Sequence, residues 1–386
     1  MEMFHKRIGF VLLIGILAVY CFGFDPIVAS VPEIADDMSF NFIAYGDTRG
    51  PGTPVSDLHD DIIDEYLTFD PELILHTGDL AYHGSEWYQL LAFNESMTAV
   101  WESGIPFYIA PGNHEMYTDD WVNDPTFTNY TLYVDYEDVA AACGGTELYY
   151  SFDYNGIHFV IINTEHYWDG DNFDLSSEQW TWLESDLGGV DNETFVVFSF
   201  HRPPFSVRAG SSGLQPNPIQ EELLGFLMQE DVDLVFNGHD HMYYRTEREG
   251  IYFVVAGGGG APLHAYNDSS AVWQEGDVAA SEYSYCNVEV NSTHVVVSAY
   301  LLDGSLLDSF FIERSVSSTS SSTTSSISST STTTPPMSTP SESTAITTTT
   351  SETSSVPTGY TGLILALVIG GAMLFVIVTL VFRRRS

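Results

Sequence analysis

Residues 73–82 read LILHTGDLAY, a short strand-forming run that leads directly into Gly78-Asp79. The same order recurs elsewhere: an apolar run of strand length, then a side chain of a type that binds metals. The runs are residues 40–45, 73–76, 106–110, 195–200 and 234–236, followed by Gly46-Asp47, Gly78-Asp79, Gly112-Asn113-His114, His201 and Gly238-His239-Asp240-His241. One Gly-Asp pair is an ordinary turn, but five such strand ends in one chain indicate a site.

Helix-forming segments lie between several of these runs, at residues 55–67, 86–103, 176–187 and 219–229. Further strands are expected at residues 149–154, 157–162 and 251–256, and Asn155-Gly156 predicts a hairpin turn between the first two. Alternating strands and helices predict an α/β fold. Ligands in open α/β sheets bind outside the carboxyl ends of the strands, so we expect the five sets of polar side chains to meet.

Carboxylates, an amide and imidazoles form the mixed oxygen and nitrogen shell that suits two metal ions about 3.5–4 Å apart. Imidazole favours ions such as Zn, Fe and Mn, and a carboxylate can bridge two of them. A water bound there becomes a hydroxide near neutral pH and can attack phosphorus. The pattern therefore predicts a hydrolase with two metal ions.

The series GD (46–47), GD (78–79), GNH (112–114), His201 and GHDH (238–241) resembles the calcineurin-like metallophosphoesterases over roughly residues 40–245. Residues 78–82 have the form GDxxY and the next motif reads GNHE, which is most similar to the purple acid phosphatase branch. The resemblance implies a four-layer αββα sandwich, with two packed β-sheets and helices outside.

The resemblance also implies a role for each motif residue. Metal one would be held by Asp47, Asp79, Tyr82 and His241, and metal two by Asp79, Asn113, His201 and His239. Asp79 would bridge the ions, and His114 would face the substrate as a proton donor or as a stabiliser of phosphoryl charge. The expected metals are iron with zinc or manganese, with Zn/Zn and Mn/Mn as alternatives. Arg49 stands where many members have His and purple phosphatases usually have Gly, which leaves the identity of metal one open.

Charge is strongly biased, with 53 acidic residues, 11 basic residues and a formal net charge of −42. Phosphate backbones are bound by Lys and Arg, so nucleic acid is not an expected partner. Among the few cations of the body, Arg49, Arg202 and Arg208 lie close to the motifs and are predicted to bind a substrate phosphate. The alternative, pairing with nearby carboxylates, is favoured for Arg245 and Arg248.

The chain is expected to have five parts. Residues 1–29 resemble a secretory signal peptide, with an uncleaved anchor as the alternative. Residues 39–314 form the catalytic domain, 315–358 a disordered Ser/Thr-rich stalk, 360–382 one transmembrane helix and 383–386 a short cytoplasmic tail. Arginines 383–385 place the C-terminus inside and the catalytic domain outside the cell. Asn-X-Ser/Thr sites at Asn94, Asn129, Asn192, Asn267 and Asn291 fit a surface glycoprotein, and Cys143 and Cys286 could form one disulfide.

The sequence as a whole favours a single-pass membrane protein that hydrolyses phosphomonoesters of small molecules outside the cell. A phosphodiesterase acting on nucleotides or lipid head groups is the first alternative. A surface adhesin or receptor without enzymatic activity is the second. The oligomeric state is not predicted.

Overall fold

The computed structural model describes residues 39–117, 127–165, 175–191, 194–210, 218–292 and 294–313, with two further strands near the C-terminus. The strands are β1 (Phe40–Tyr45), β2 (Leu73–His76), β3 (Phe107–Ile109), β4 (Tyr150–Tyr154), β5 (Ile157–Ile161), β6 (Phe195–Ser199), β7 (Leu234–Asn237), β8 (Tyr243–Arg248), β9 (Ile251–Ala256), β10 (Val278–Ala280), β11 (Ser284–Val290), β12 (His294–Leu301), β13 (Leu306–Glu313), β14 (Leu363–Ile369) and β15 (Ala372–Val378). The helices are α1 (His59–Leu67), α2 (Trp87–Ser96), α3 (Thr98–Ser103), α4 (Thr128–Val134), α5 (Glu137–Cys143), α6 (Ser177–Leu187) and α7 (Pro218–Gln229), and Asn113–Met116 form a 3₁₀ turn.

Thirteen of these strands form two sheets. The first has the order β13-β12-β11-β1-β2-β3, and the second has the order β10-β8-β9-β7-β6-β5-β4. Strands β1, β2 and β3 run parallel to one another, and so do β5, β6, β7 and β9. The carboxyl ends of the strands that carry the motifs therefore lie at one edge of each sheet.

The two sheets pack face to face through aromatic side chains. The ring of Phe42 on β1 meets Phe159 of β5 at a centroid distance of 5.3 Å and Phe236 of β7 at 6.2 Å, both edge to face. Side chains alternate along a strand, so Val160 points to the other face of the second sheet and packs under α6 with Leu183. The expected α/β architecture with two sheets is confirmed.

Helices cover the outer faces because their apolar residues recur at helical spacing. In α1, Ile62, Ile63 and Tyr66 are buried while Asp60 and Asp61 are exposed. On the first sheet, the ring of Tyr45 stacks on His59 of α1 at 5.8 Å. Helix α6 begins where the Ser176 hydroxyl accepts a hydrogen bond from the backbone N–H of Gln179, a typical N-cap.

Local expectations hold in most places. The turn at Asn155-Gly156 joins β4 to β5, and both residues have the positive φ that this hairpin requires, 45° and 76°. The helix expected over residues 86–103 is two helices, because Met97 leaves helical geometry at φ −82° and ψ 6°. Cys143 and Cys286 are free thiols, so the disulfide considered from the sequence does not form.

The C-terminal region differs from the sequence-based expectation. The chain divides into two compact units, Met1–Ser320 and Ser321–Ser386. In the second unit β14 and β15 pair antiparallel, where the sequence predicts a transmembrane helix over 360–382. Both strands are rich in β-branched residues, which favour strands, and Gly370-Gly371 lies between them in the sequence. No helix in the described part of the chain is both long and apolar enough to cross a bilayer.

The remaining calls on organisation fall outside the described residues. The signal peptide at 1–29, the stalk at 315–358 and the tail at 383–386 all lie there. They stay predictions, and so does membrane anchoring.

Candidate metal centre

Three predicted ligands from different strands converge in the interior. Asp47 follows β1, Asp79 follows β2 and His201 follows β6. Each offers a ligand atom within 4.8 Å of the others, and all three side chains are buried. The expectation that strand ends bring these groups together is therefore correct.

The backbone at the ligands is in an unusual conformation. Asp47, Asp79 and His239 have φ values of 60°, 59° and 68°, in the left-handed region that residues with a side chain rarely adopt. Such conformations cost free energy and persist where the surrounding structure imposes them, often at functional sites. The sharp turns aim these side chains into the space outside the strand ends.

Two glycines allow the close approach of the ligand loops. A Cβ atom on Gly112 would lie 2.4 Å from Asp79 Oδ1, and one on Gly238 would lie 2.6 Å from Asp47 Oδ2. Both distances are far below van der Waals contact. Only glycine, which has no Cβ, permits the backbone to approach the ligands this closely.

The set predicted for metal two has its donor atoms turned towards one another. His201 Nε2 lies 3.3 Å from Asp79 Oδ1 and 3.1 Å from Asn113 Oδ1. Asn113 Oδ1 lies 2.9 Å from His239 Nδ1. The Nδ1–H of His201 donates to the carbonyl oxygen of Thr77 at 2.8 Å, which fixes the ring and directs Nε2 into the site.

The set predicted for metal one is also assembled, but around an arginine. His241 Nε2 lies 3.5 Å from Asp47 Oδ1, and its Nδ1–H donates to the carbonyl oxygen of Pro262 at 2.7 Å. Arg49 Nη2 lies 3.2 Å from His241 Nε2, and Arg49 Nε lies 3.5 Å from Asp79 Oδ2. The Tyr82 ring is half-buried, with its centroid 5.6 Å from Arg49 Cζ.

His114 and Glu115 connect the second and third motif loops. The backbone N–H of His114 donates to Asp79 Oδ1 at 2.9 Å, its Nδ1 lies 2.6 Å from the carbonyl oxygen of Tyr82, and its Nε2 lies 3.8 Å from Asp79 Oδ2. The Glu115 carboxylate accepts from the backbone N–H groups of Asp79, Leu80 and Gly112 at 2.7–2.9 Å. These bonds hold Asp79 in place.

The electrostatics of the site indicate an excess of negative charge. Burial raises the pKa of Asp47 well above its usual value, and the neighbouring Asp79 adds to that effect. Burial opposes ionisation of Asp79 as well, but His201 and His114 outweigh it and hold the pKa of Asp79 well below its usual value. Burial lowers the pKa of His201, yet Asp79 and Asp47 prevail and raise it to about 10. Carboxylates that draw a proton onto a buried imidazole would also attract a metal cation.

The donor chemistry fits the predicted metals. Two carboxylates, one amide and three imidazoles provide the ligand types found around Zn, Fe and Mn. Burial lowers the pKa of His114 to about 4, and burial together with Arg49 lowers that of His241 to about 2. Both rings are therefore neutral near pH 7.

The predicted substrate-binding arginines are engaged in different ways. Arg202 is buried, and its Nε donates to Glu165 Oε1 and Oε2 at 2.8 and 2.9 Å. Its Nη1 lies 3.4 Å from His239 Nε2. The Arg208 side chain is 38% exposed, with Nη1 3.9 Å from Asp240 Oδ1. The guanidinium of Arg202 therefore borders the metal-two set.

The two arginines for which the sequence favours pairing do pair with carboxylates. Arg245 Nε lies 2.6 Å from Asp308 Oδ2, and Arg248 Nη1 lies 3.4 Å from Asp277 Oδ1.

Sequence reasoning missed Glu165 and His264. Glu165 is buried just beyond the end of β5. Its position after a strand could have indicated that it belongs to the site, as it did for the motif residues. His264 follows the Gly-rich turn after β9, accepts a hydrogen bond from the His241 backbone N–H at 3.1 Å and stacks on the His241 ring at 4.0 Å. No motif marked it. Asp240 accepts a hydrogen bond from the Ser206 hydroxyl at 2.5 Å.

Comparison with known proteins agrees with this geometry. The family described as Calcineurin-like phosphoesterase matches residues 41–243. Purple acid phosphatase 22 of Arabidopsis thaliana is 32% identical over 187 residues, which are 46% of this chain and 40% of that relative. A nucleotide pyrophosphatase/phosphodiesterase of Hordeum vulgare is 25% identical over 297 residues, covering 66% of this chain and 75% of that protein.

A solved structure extends the comparison to the fold. The purple acid phosphatase PPD1 from yellow lupin (Lupinus luteus) seeds matches with a TM-score of 0.55 at 20% identity, covering 75% of this chain and 55% of the lupin chain. This likeness concerns the fold alone. Several further sequence relatives carry the name probable inactive purple acid phosphatase. The chain spans about half the length of the curated purple acid phosphatases that it matches, or less.

Proposed function

The chain belongs to the calcineurin-like phosphoesterase family, in its purple acid phosphatase branch, and we propose that it hydrolyses phosphomonoesters with two metal ions. The observation that carries the proposal is the buried convergence of Asp47, Asp79 and His201. Asp47 and Asp79 also have left-handed backbone conformations, which cost free energy and are typical of functional sites.

Each residue has a distinct task in the proposed reaction. Asp47, Asp79, Tyr82 and His241 would hold one ion, and Asp79, Asn113, His201 and His239 the other. The ions, when bound, supply an activated water for attack on phosphorus and stabilise negative charge on the phosphoryl oxygens. Glu115 holds the backbone of Asp79, and the backbone N–H of His114 donates to Asp79 Oδ1, so together they fix the orientation of the Asp79 carboxylate.

His114 is placed to assist the leaving group. Its Nδ1 is bonded to the carbonyl oxygen of Tyr82, so the ring orientation is fixed and Nε2 is directed towards Asp79. The neutral ring carries its proton on Nδ1. Once the ring is protonated, below its pKa of about 4, the proton on Nε2 can pass to the oxygen of the departing alcohol. Arg202, fixed by Glu165, would contact a phosphoryl oxygen from the metal-two side, and the more exposed Arg208 would meet the substrate further out.

Paired assays test the proposal. The purified full chain, supplied with Zn²⁺, Mn²⁺ or Fe, is expected to cleave 4-nitrophenyl phosphate faster than bis(4-nitrophenyl) phosphate, and Asp79→Asn should lose both the activity and the bound metal. The matched control is Asp308→Asn, an acidic residue that pairs with Arg245 rather than with the centre. Wild-type protein that holds metal but cleaves neither ester would contradict the proposal.

A phosphodiesterase is the second candidate, favoured by the relative from Hordeum vulgare that is named a nucleotide pyrophosphatase/phosphodiesterase. A higher kcat/KM for the diester than for the monoester would select it.

We also propose iron with zinc or manganese as the metals. A visible charge-transfer band that disappears in Tyr82→Phe would identify Fe(III) bound to Tyr82.

For the location we propose the cell surface, with a membrane anchor. Support for the location comes from the sequence of residues 1–29 and 315–386. Protease treatment of intact cells should remove the catalytic domain, and an activity that stays inside the cells would refute the location.

A further inference from the structure

Arg49 contacts three of the four side chains expected to hold metal one. Its Nη2 lies 3.2 Å from His241 Nε2, its Nε lies 3.5 Å from Asp79 Oδ2, and its Cζ lies 5.6 Å from the centre of the Tyr82 ring. The arginine side chain is 14% exposed. A permanent positive charge is therefore enclosed among ligands that would otherwise bind a cation.

The contact with His241 uses the atom that a metal would need. His241 Nδ1 is bonded to the carbonyl oxygen of Pro262, so the neutral ring carries its proton there and its lone pair on Nε2. A guanidinium has only donors, so Arg49 Nη2 donates to that lone pair. A metal ion and Arg49 cannot both use His241 Nε2.

The other ligand set is not blocked in this way. Arg202 reaches His239 at Nε2, whereas His239 Nδ1 faces Asn113. Within the described residues no arginine hydrogen-bonds to Asn113 or His201. Both sets thus have an arginine nearby, but in different places. Arg202 borders its set at His239 Nε2, away from the Nδ1 atom that faces Asn113, whereas Arg49 lies directly at the donor atoms of His241 and Asp79.

We propose that Arg49 is a built-in cation at the metal-one position, so that the two metal positions fill unequally. The position formed by Asn113, His201 and His239 with Asp79 binds an ion first and tightly. The position at Asp47 and His241 binds a second ion weakly, because the guanidinium must leave and its charge repels the incoming ion. The inference rests on the proposed function, since it presumes that both positions serve a phosphoesterase.

Metal titration of the purified full chain tests the inference without relying on activity. Chelator-treated protein is titrated with Zn²⁺ in a calorimeter, and bound zinc is counted by mass spectrometry after desalting. Two unit charges about 4 Å apart repel strongly even at a protein surface, so we expect the second ion to bind at least about 100-fold more weakly than the first. Desalted wild-type protein should retain one ion per chain.

Removing the guanidinium should equalise the two positions. In Arg49→Gly, which has the residue usual in purple phosphatases, the second dissociation constant should come within about tenfold of the first. Arg49→Gln, which keeps most of the side-chain volume, should give the same result and covers the case in which the glycine variant does not fold. Arg245→Gln removes an arginine that pairs with Asp308 outside the centre, and it should leave both constants unchanged.

The outcomes separate this inference from the proposed function. Two equally tight ions in the wild type, or a ratio of constants that neither Arg49 variant changes, would overturn the role of Arg49, while phosphatase activity would keep the proposed function intact. If neither the wild type nor the Arg49 variants bind zinc, manganese or iron, the proposed function fails and the inference fails with it.

Discussion

The pair formed by Glu165 and Arg202 gives the most direct prediction about stability. Both side chains are buried, and Arg202 Nε donates to both carboxylate oxygens at 2.8 and 2.9 Å. Glu165→Gln keeps one carbonyl oxygen as an acceptor but removes the negative charge. The guanidinium then stays buried without a counter-charge.

The expected size of the effect follows from the burial of the pair. A hydrogen bond to a charged group contributes about 1.5–3 kcal/mol, and removing one partner of a buried pair costs about 3–5 kcal/mol. Because glutamine retains one acceptor, we expect Glu165→Gln to lower the free energy of unfolding by about 2–3 kcal/mol. Arg208→Met, which removes a partly exposed arginine 3.9 Å from its carboxylate, should cost less than about 1 kcal/mol and is the matched control.

The assay is urea unfolding of the full chain with a chelator present, so that bound metal does not add to the measured free energy. Arg202→Met and the double variant complete a double-mutant cycle. We expect the double variant to be more stable than the sum of the single effects by about 2 kcal/mol, because it leaves no unpaired charge. Additive effects within about 0.5 kcal/mol would refute the reasoning, since they would show that the two groups do not depend on each other.

Three further predictions follow from single contacts. Gly112→Ala places a Cβ 2.4 Å from Asp79 Oδ1 and should abolish retention of metal after desalting. The control is Gly225→Ala in α7, where the added Cβ meets nothing within 4 Å and metal should be retained. Equal retention by the two variants would contradict the steric argument. At acidic pH, where the ring is protonated, His114→Asn should lower kcat by about 10²–10⁴-fold for an alkyl phosphate but much less for 4-nitrophenyl phosphate, whose leaving group needs no proton. Equal losses for the two esters would exclude His114 as the acid. Burial lowers the pKa of His158, but hydrogen bonds to Asp153 and Asp186 prevail and raise it to about 9. The charged His158 therefore stabilises the folded protein fully below pH 6.5, and this contribution is lost as the pH rises from 6.5 to 9. Thermal melts should therefore show that the free energy of unfolding of the wild type falls by up to about 3 kcal/mol more over this pH range than that of His158→Gln. The same pH dependence in both proteins would contradict this role of His158.

The position of the candidate site could be predicted from sequence because it follows from local order along the chain. Each motif comes directly after a strand-length apolar run, and parallel strands end at the same edge of a sheet. The left-handed φ values of Asp47 and Asp79 are reached by turns that begin with Gly46 and Gly78, and these turns are visible in the sequence. The Asn155-Gly156 hairpin was predictable for the same local reason.

Contacts between distant segments could not be predicted. Arg49 and His241 are 192 residues apart, and nothing local to either indicates that the guanidinium meets the imidazole. Arg202 and Glu165 are 37 residues apart, and Glu165 precedes a stretch without a motif. The sequence indicated that Arg202 belongs to the site, but not that it is held by a buried carboxylate.

The C-terminal apolar run shows a different limit. A long, almost entirely apolar segment has no periodicity that separates a helix from a strand, so the length of the segment was the basis for predicting a helix over 360–382. The structure pairs β14 with β15 in this run and shows no membrane-spanning helix among the described residues, so the transmembrane helix is not confirmed.

The account depends on the metal ligands forming one centre, and anomalous diffraction from a crystal of the metal-loaded protein tests this most directly. We predict an anomalous peak within about 2.0–2.2 Å of the donor atoms of Asp79, Asn113, His201 and His239, with a second peak near Asp47 and His241 at higher metal concentration. Peaks only at other places on the protein, with these side chains unliganded, would contradict the central claim.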